Sequence, residues 1–248
     1  MKRTFLFVLV ISQLAFAQVS KQTLTINCGF QKPESDLITE ALEVIFKEAD
    51  IGLKVQVLPN KRSLVNANNG IDDGDATRIW NINKYYPNLL RVPLKTHHID
   101  IVALSNRKLL IKKFTDLKPF HVGIVRGMKI VEVKVGAVET KSLTSINNYD
   151  QLLRMLASKR IDVIITDKTS LLNKIKEGDI KGLYLMEKPL LTLPLYIHLH
   201  KKHKALIPKL EKAVAELTRK GTLVKIENNF FNRLQKEVSS LVTLVNEK

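Results

Sequence analysis

A single cysteine, Cys28, rules out a disulfide within the 248-residue chain, so the fold must be held by burial alone. Aromatic residues are scarce too, at 6%, and they are not interleaved with the basic residues as base-stacking platforms require. Acidic residues are outnumbered, 24 Asp and Glu against 40 Lys and Arg, which leaves a formal charge of +16. The lysines come in ones and twos, as in Lys112-Lys113 and Lys201-Lys202. That pattern describes a dispersed, solvated surface, and no nucleic-acid partner is expected from it. No apolar run approaches the roughly 20 residues that a bilayer-spanning helix needs. Also missing are a nucleophile elbow, a phosphate loop and a paired-carboxylate motif. Six histidines include the adjacent His97 and His98, and His198 and His200 on one strand face. No carboxylate or cysteine stands at the spacing of a recognised zinc site, so neither a metal nor any other cofactor is expected.

The amino-terminal residues carry an export pattern. Lys2 and Arg3 precede an apolar stretch from Phe5 to Ile11, and Ala15-Phe16-Ala17 supplies small residues at the cleavage spacing. Cleavage after Ala17, delivery to a periplasm-like space and a mature chain starting at Gln18 are the expectation. Cys28 follows Thr25-Ile26-Asn27 and is not part of a lipid-attachment box, so no lipid anchor is expected. The residues after Ala17 suffice for two modest domains, each with its own core. Hydrophobic residues at 45% and charged residues at 26% are the proportions of an ordinary globular protein.

Strand and helix periodicities then alternate. Leu24, Ile26 and Cys28 share one strand face, where Cys28 reads as a small buried hydrophobe. Ser35 is placed to cap a helix whose stripe is Leu37, Ile38, Ala41, Leu42, Ile45 and Phe46, and Leu53, Val55 and Val57 alternate in a second strand. A short helix is expected over 62–69. The order repeats with a strand at 121–125, a helix capped by Asn147 or Asn148, an apolar strand at 161–165 and a helix at 170–176. A strand at 195–199 and helices at 205–219 and 221–231 follow. This is the α/β order of mostly parallel sheets covered by helices. Two further apolar strands, 99–105 and 193–199, bracket a self-contained block. They predict a discontinuous first lobe (18–103 and 194–248) and an inserted second lobe (104–193).

Four stretches resemble the type II periplasmic solute-binding proteins, in particular the family 3 group that serves polar amino-acid uptake. Arg62 to Asp75, with Gly70 and Asp73-Gly74, is similar to that family's "R-a-l … G-x-x-D-G" segment. Phe114 to Gly127, reading FTDLKPFHVGIVRG, looks like its "D-L-k-g-k-x-V-G-v-x-x-G" segment. Asp150 to Asp167 follows its helix, "G-R-x-D-a", strand and terminal Asp, and Leu210 to Ile226 resembles its closing helix. Together they span nearly all of the chain after Ala17. The resemblance implies a Venus-flytrap, two lobes joined by two hinge strands that close on a ligand.

The resemblance also selects site residues. Asp167 stands where amino-acid binders hold an ammonium group, although a helix cap is an equal use for an aspartate there. Gly127, Met128 and Lys129 open the segment that contacts a carboxylate in the family, with Met128 replacing the usual hydroxyl residue. Arg126 and Lys129 are candidate charges there, with a solvated surface as the alternative for each. Arg78, after Thr77 and with Asp75 to orient it, is the candidate anion clamp, and Arg62 is a weaker one. Trp80, Tyr85 and Tyr86 are read as packing rather than stacking on a ligand. The expected function is capture of a small polar, amino-acid-like solute by a monomer serving a membrane permease or a sensor. A basic surface protein binding anionic lipid or another macromolecule is the alternative, and an enzyme on this fold is the weaker one.

Overall fold

The computed structural model describes residues 22–79 and 82–246. The export pattern at 1–17 and Trp80 lie outside the described residues. In chain order the elements are β1 (Thr23–Cys28), α1 (Glu34–Glu48), β2 (Gly52–Val57), α2 (Asn60–Asn68), β3 (Gly74–Arg78), β4 (Leu89–Arg91) and β5 (His97–Ser105). Then come β6 (His121–Val125), α3 (Lys129–Gly136), β7 (Ser142–Ile146), α4 (Tyr149–Ala157), β8 (Val163–Asp167) and α5 (Lys168–Glu177). The chain ends with β9 (Leu183–Met186), β10 (Leu191–His200), α6 (Ile207–Arg219), α7 (Thr222–Val238) and β11 (Val242–Val245).

The strands run in the order β2-β1-β3-β10-β5-β8-β6-β7. β1 and β2 pair in parallel, with Ile26 opposite Val55, and β6 lies parallel to both β7 and β8. β5 and β10 are the two longest strands and cross between the halves. They pair antiparallel from His97–Leu195 to Ile101–Leu191. Beyond that shared stretch, β10 continues alongside β3 and β4, while β5 continues alongside β8 and β9. The chain is thus a mixed α/β protein of two lobes joined by two hinge strands, each strand wider than the expected 99–105 and 193–199.

Each lobe closes over its own apolar core. The first packs Leu24, Ile26 and Cys28 under Ile38, Leu42, Ile45 and Phe46 of α1, with Leu210 and Val214 of α6. Burial pushes the Cys28 thiol up to about 12, consistent with a packing role. The second lobe has a core on each face of its sheet, one under α4, α5 and α7 and one under α3.

Three expectations need correction. Ser35 does not cap α1. The helix starts at Glu34 after Pro33, and no side chain caps it. Residues 74–78, for which no element was expected, form a fully buried strand. The carboxy-terminal segment, expected in the first lobe, reaches both: Leu223 of α7 belongs to the first core and α7 touches α1 and α6, while the rest of the segment packs on the second. Ile226, Phe230, Leu234 and Val238 of α7 share a core with Leu104, Leu152 and Leu171, and β11 pairs in parallel with β9. The reason is the four-residue spacing of that stripe, which needs cover of its own. Gly221, at φ +71°, ends α6 and turns the chain across, making a third connection between the halves.

Asn148 does cap α4, its Oδ1 accepting from the N–H groups of Asp150 (2.8 Å) and Gln151 (3.3 Å). Asn148→Ala should therefore lower unfolding free energy by about 1 kcal/mol, read by urea denaturation.

Candidate functional site

Parallel strands present their carboxyl ends, and the turns that follow them, at the seam between the lobes. In the first lobe this end carries a closed polar network. Asp75, on β3, accepts from Thr77 through N–H (2.9 Å) and Oγ1 (3.0 Å), from the Ser63 hydroxyl, and from Arg78 Nη2 at 2.7 Å. Arg78 also donates to the Asn60 side chain, to the Asn60 carbonyl (3.2 Å) and to Ser63 Oγ (3.1 Å). Gly29, at the end of β1, donates its N–H to Thr77 Oγ1, and a Cβ there would stand 2.7 Å from Arg78 Nη2. Glycine at 29 is thus what lets the guanidinium lie against the β1 turn. Arg78 is only 6% exposed, and its Nε has no hydrogen-bond partner. Arg62 sits on the exposed face of α2, apart from this network. Next to it on β10, His198 is fully buried, and burial lowers it to about 4, so it stays neutral at pH 7.

In the second lobe, Asp167 ends β8 and caps α5. Its Oδ1 accepts from the Ser170 N–H at 2.7 Å, and its Oδ2 accepts from the hydroxyls of Tyr149 and, at 3.4 Å, Thr166. Burial, and then the neighbouring Asp167 charge, raise the Tyr149 phenol, which keeps it a donor. Gly127 adopts φ +93° in the turn after β6, a conformation that favours glycine. Its N–H donates to Glu132 Oε1 at 2.7 Å, and Lys129 Nζ lies 3.0 Å from Glu132 Oε2. The start of α3 thus already holds a carboxylate of the chain itself. Arg126 is exposed and donates to the Ser145 carbonyl, and Met128 packs on the core beneath. Tyr86 packs on a small cluster around Leu64 and Leu89, whereas Tyr85 stands in solvent.

Between the lobes lies a charged cluster that sequence patterns did not single out. Glu227 of α7 bridges both hinge histidines through Oε1, 2.9 Å from His97 Nδ1 and 3.0 Å from His98 Nδ1. His97 Nε2 faces Glu34 of α1 at 3.6 Å, and His98 Nε2 faces Asp100 at 3.7 Å. These last two are ion-pair separations, too long for hydrogen bonds. Asp100 in turn accepts from Thr192 of the other hinge strand at 2.6 Å. Burial alone would raise Glu227, but the contacts from His97 and His98 lower it to about 2. The Asp100 and Glu227 contacts raise His98 to about 9. Burial raises Glu34, with His97 opposing and the charge of Asp167 adding to the rise. Among the described residues, no three His, Cys, Asp or Glu side chains converge on a metal position.

No family model matches the sequence, and no curated protein matches it. Solved structures do. An ancestral arginine-binding protein bound to glutamine aligns with 86% of this chain and 99% of its own, at 20% identity and a TM-score of 0.62. A histidine kinase sensor domain similar to periplasmic binding proteins aligns with 84% of this chain and 96% of its own, at 14% identity and a TM-score of 0.65. An ABC uptake transporter substrate-binding protein from Streptococcus pneumoniae, with bound histidine, aligns with 85% and 92% at 15% identity and a TM-score of 0.59. This is the two-lobed periplasmic-binding-protein fold.

Within this binding-protein fold, Asp75, Thr77 and Arg78 come together in one network at the first lobe. Asp167 belongs to the seam, and Gly127, Met128 and Lys129 with Arg126 form a separate, more exposed turn. The sequence reading missed Glu34, Asn60, Ser63, Tyr149 and Glu227. One signal was present for Glu34: an acid beside Pro33 in the first turn of a helix that follows a strand end.

Proposed function

We propose that this chain is an exported, monomeric solute-binding protein, not an enzyme, that closes its lobes on a small polar solute. The single observation that carries the reading is the two-lobed fold with β5 and β10 running between its halves, each half bringing a buried acid to the hinge strand β5: Glu34 faces His97, and Asp167 pairs with Ile101. A solute held there touches both lobes, so binding and closure are one event, a hinge motion about β5 and β10. We place the lobe division near 103/104 and 193/194, with residues 222–245 reaching back across it. No helix among the described residues is long and apolar enough to cross a membrane, which suits a protein delivering solute in a periplasm-like space. The client is a permease or a sensor, the two roles represented among the similar structures.

The deciding experiment is a thermal-shift screen over amino acids, amines, organic acids and sugars. A true solute at a hundred times its Kd should add about 2.7 kcal/mol to the unfolding free energy, with no turnover of the solute. Turnover would make the chain an enzyme. Salt-sensitive binding to anionic vesicles, without any solute response, would favour the basic-surface alternative.

A further inference from the structure

We propose that Glu227 is a positioning residue for lobe closure: it clasps α7, the third connection between the halves, onto the hinge strand β5 and so sets the angle of the unliganded lobes. The proposal rests on the solute-binding reading above, because closure is the motion that it regulates.

The contact stands where the lobes must turn. His97 and His98 open β5 and pair with Leu195 and Pro194 of β10, inside the stretch that the two hinge strands share. Rotation of one lobe against the other bends the backbone there. α7 lies across the same place, touching α1 in the first lobe and α5 in the second. A helix seated on both lobes cannot follow both when they rotate, so whatever fastens it near the hinge resists the rotation.

Glu227 is that fastening. Its Oε1 meets two imidazoles, His97 Nδ1 at 2.9 Å and His98 Nδ1 at 3.0 Å. The other ring nitrogens face acids as well: His97 Nε2 stands 3.6 Å from Glu34 of α1, and His98 Nε2 stands 3.7 Å from Asp100. Asp167 acts on Glu34 and Lys168 acts on Asp100 as the further charges nearby. Acids on both sides of each ring favour the imidazolium form, and the contact to Glu227 is charge-assisted at neutral pH. One turn further along the same face of α7, the Phe231 ring lies 6.2 Å from that of His98 and 5.6 Å from Lys168 Nζ of α5. The clasp thus runs from the hinge strand into the second lobe. A pocket of about 50 Å³ beside Glu227, lined also by Lys95 and Thr218, has room for water. Water there takes over the polar groups when they part, so the clasp is able to open and remake.

Pulsed electron-spin resonance on the full mature chain reads the lobe angle, with labels at Glu40→Cys on α1 and Lys134→Cys on α3, both exposed. Cys28 is buried and takes no label. At pH 7 this labelled parent should give one narrow distance. Glu227→Ala should broaden it or add a second distance, because losing one charge-assisted bond shifts such an equilibrium about ten- to a hundredfold. Glu227→Gln keeps the shape of the side chain and loses only its charge, so it should fall between the two. Raising the parent to pH 10 carries His98 past its value of about 9 and should reproduce the Glu227→Gln distribution, while Glu227→Ala stays indifferent to pH. A Glu227→Ala distribution as narrow as the parent's would overturn the proposal. So would a parent distribution that ignores pH, since a helix that only packs on the hinge has no charge to lose. Should Glu227→Ala fail to melt cooperatively, Glu227→Gln and the pH series on the parent decide alone. None of these results touches the solute-binding reading, which stands or falls on the thermal-shift screen, whereas the distances are measured without solute.

Discussion

Asp75→Ala should lower the unfolding free energy by about 3–5 kcal/mol, the cost of removing one member of a buried ion pair. Asp75 is fully buried and Arg78 nearly so, with Oδ2 and Nη2 2.7 Å apart. Without the carboxylate, the guanidinium keeps only Ser63 and Asn60, both neutral, and its Nε already lacks a partner. Arg78 lies against the β1 turn at Gly29 and is only 6% exposed. The double variant Asp75→Ala, Arg78→Met should recover a large part of the loss, because exchanging a whole buried pair for apolar groups is often close to neutral. Urea denaturation of the single and double variants gives both numbers. A double variant no more stable than Asp75→Ala would shift the cost from the orphaned charge to the lost Thr77 and Ser63 contacts. On the same geometry Arg78→Ala destabilises the unliganded protein, whereas a free anion clamp would leave it unchanged.

That contrast marks where sequence patterns stop being informative. Elements that bury one apolar face were legible: β1 by the alternation of Leu24, Ile26 and Cys28, α1 by its six-residue stripe, and β6 residue for residue. β3 was not, because Gly74-Asp75-Ala76-Thr77-Arg78 contains no large apolar residue. Its burial is affordable only because its polar groups satisfy one another. β9 and β11 are four residues each, and their pairing joins segments far apart in sequence, so nothing local announces it. The order of elements and the two crossing strands were enough to specify two lobes. They were silent on α7, whose stripe says that it must be covered but not by which lobe. The seam is the hardest part to read. His97 and Glu227 are 130 positions apart, and Glu34 meets them from a third element, so no spacing rule links them. Asp167 was legible as a strand-terminal acid, and the Tyr149 hydroxyl that accompanies it was not.

The unfolding free energy of the unliganded protein should peak near pH 6.5 and fall on both sides for separate reasons. On the alkaline side the principal group is His98, raised from 6.5 to about 9 by Asp100 and Glu227. Its stabilisation is complete below pH 6.5 and is lost as pH rises through 9. His97, also raised because Glu227 and Glu34 outweigh its burial, acts in the same sense. On the acid side the principal group is His198, lowered to about 4 by burial. Its neutral form is favoured in the fold, so its contribution is complete above pH 6.5 and is lost as pH falls through 4. Each displacement corresponds to roughly 3 kcal/mol, an upper figure for His98, which keeps some contact with water. Glu227, lowered to about 2, adds loss below pH 4.5, although it reports the same contact as His98 and is not counted twice. Glu34 works the other way. Its raised carboxyl stabilises the fold below pH 4.5, and that contribution is lost as pH rises, which softens the acid limb. Melting curves from pH 4 to 10 on His98→Gln and His198→Gln separate the limbs. The first should flatten the alkaline slope and the second the acid slope between pH 6.5 and 4. An alkaline slope unchanged by His98→Gln would remove the hinge contact from the account, and an unchanged acid slope in His198→Gln would do the same for the buried histidine beside Asp75.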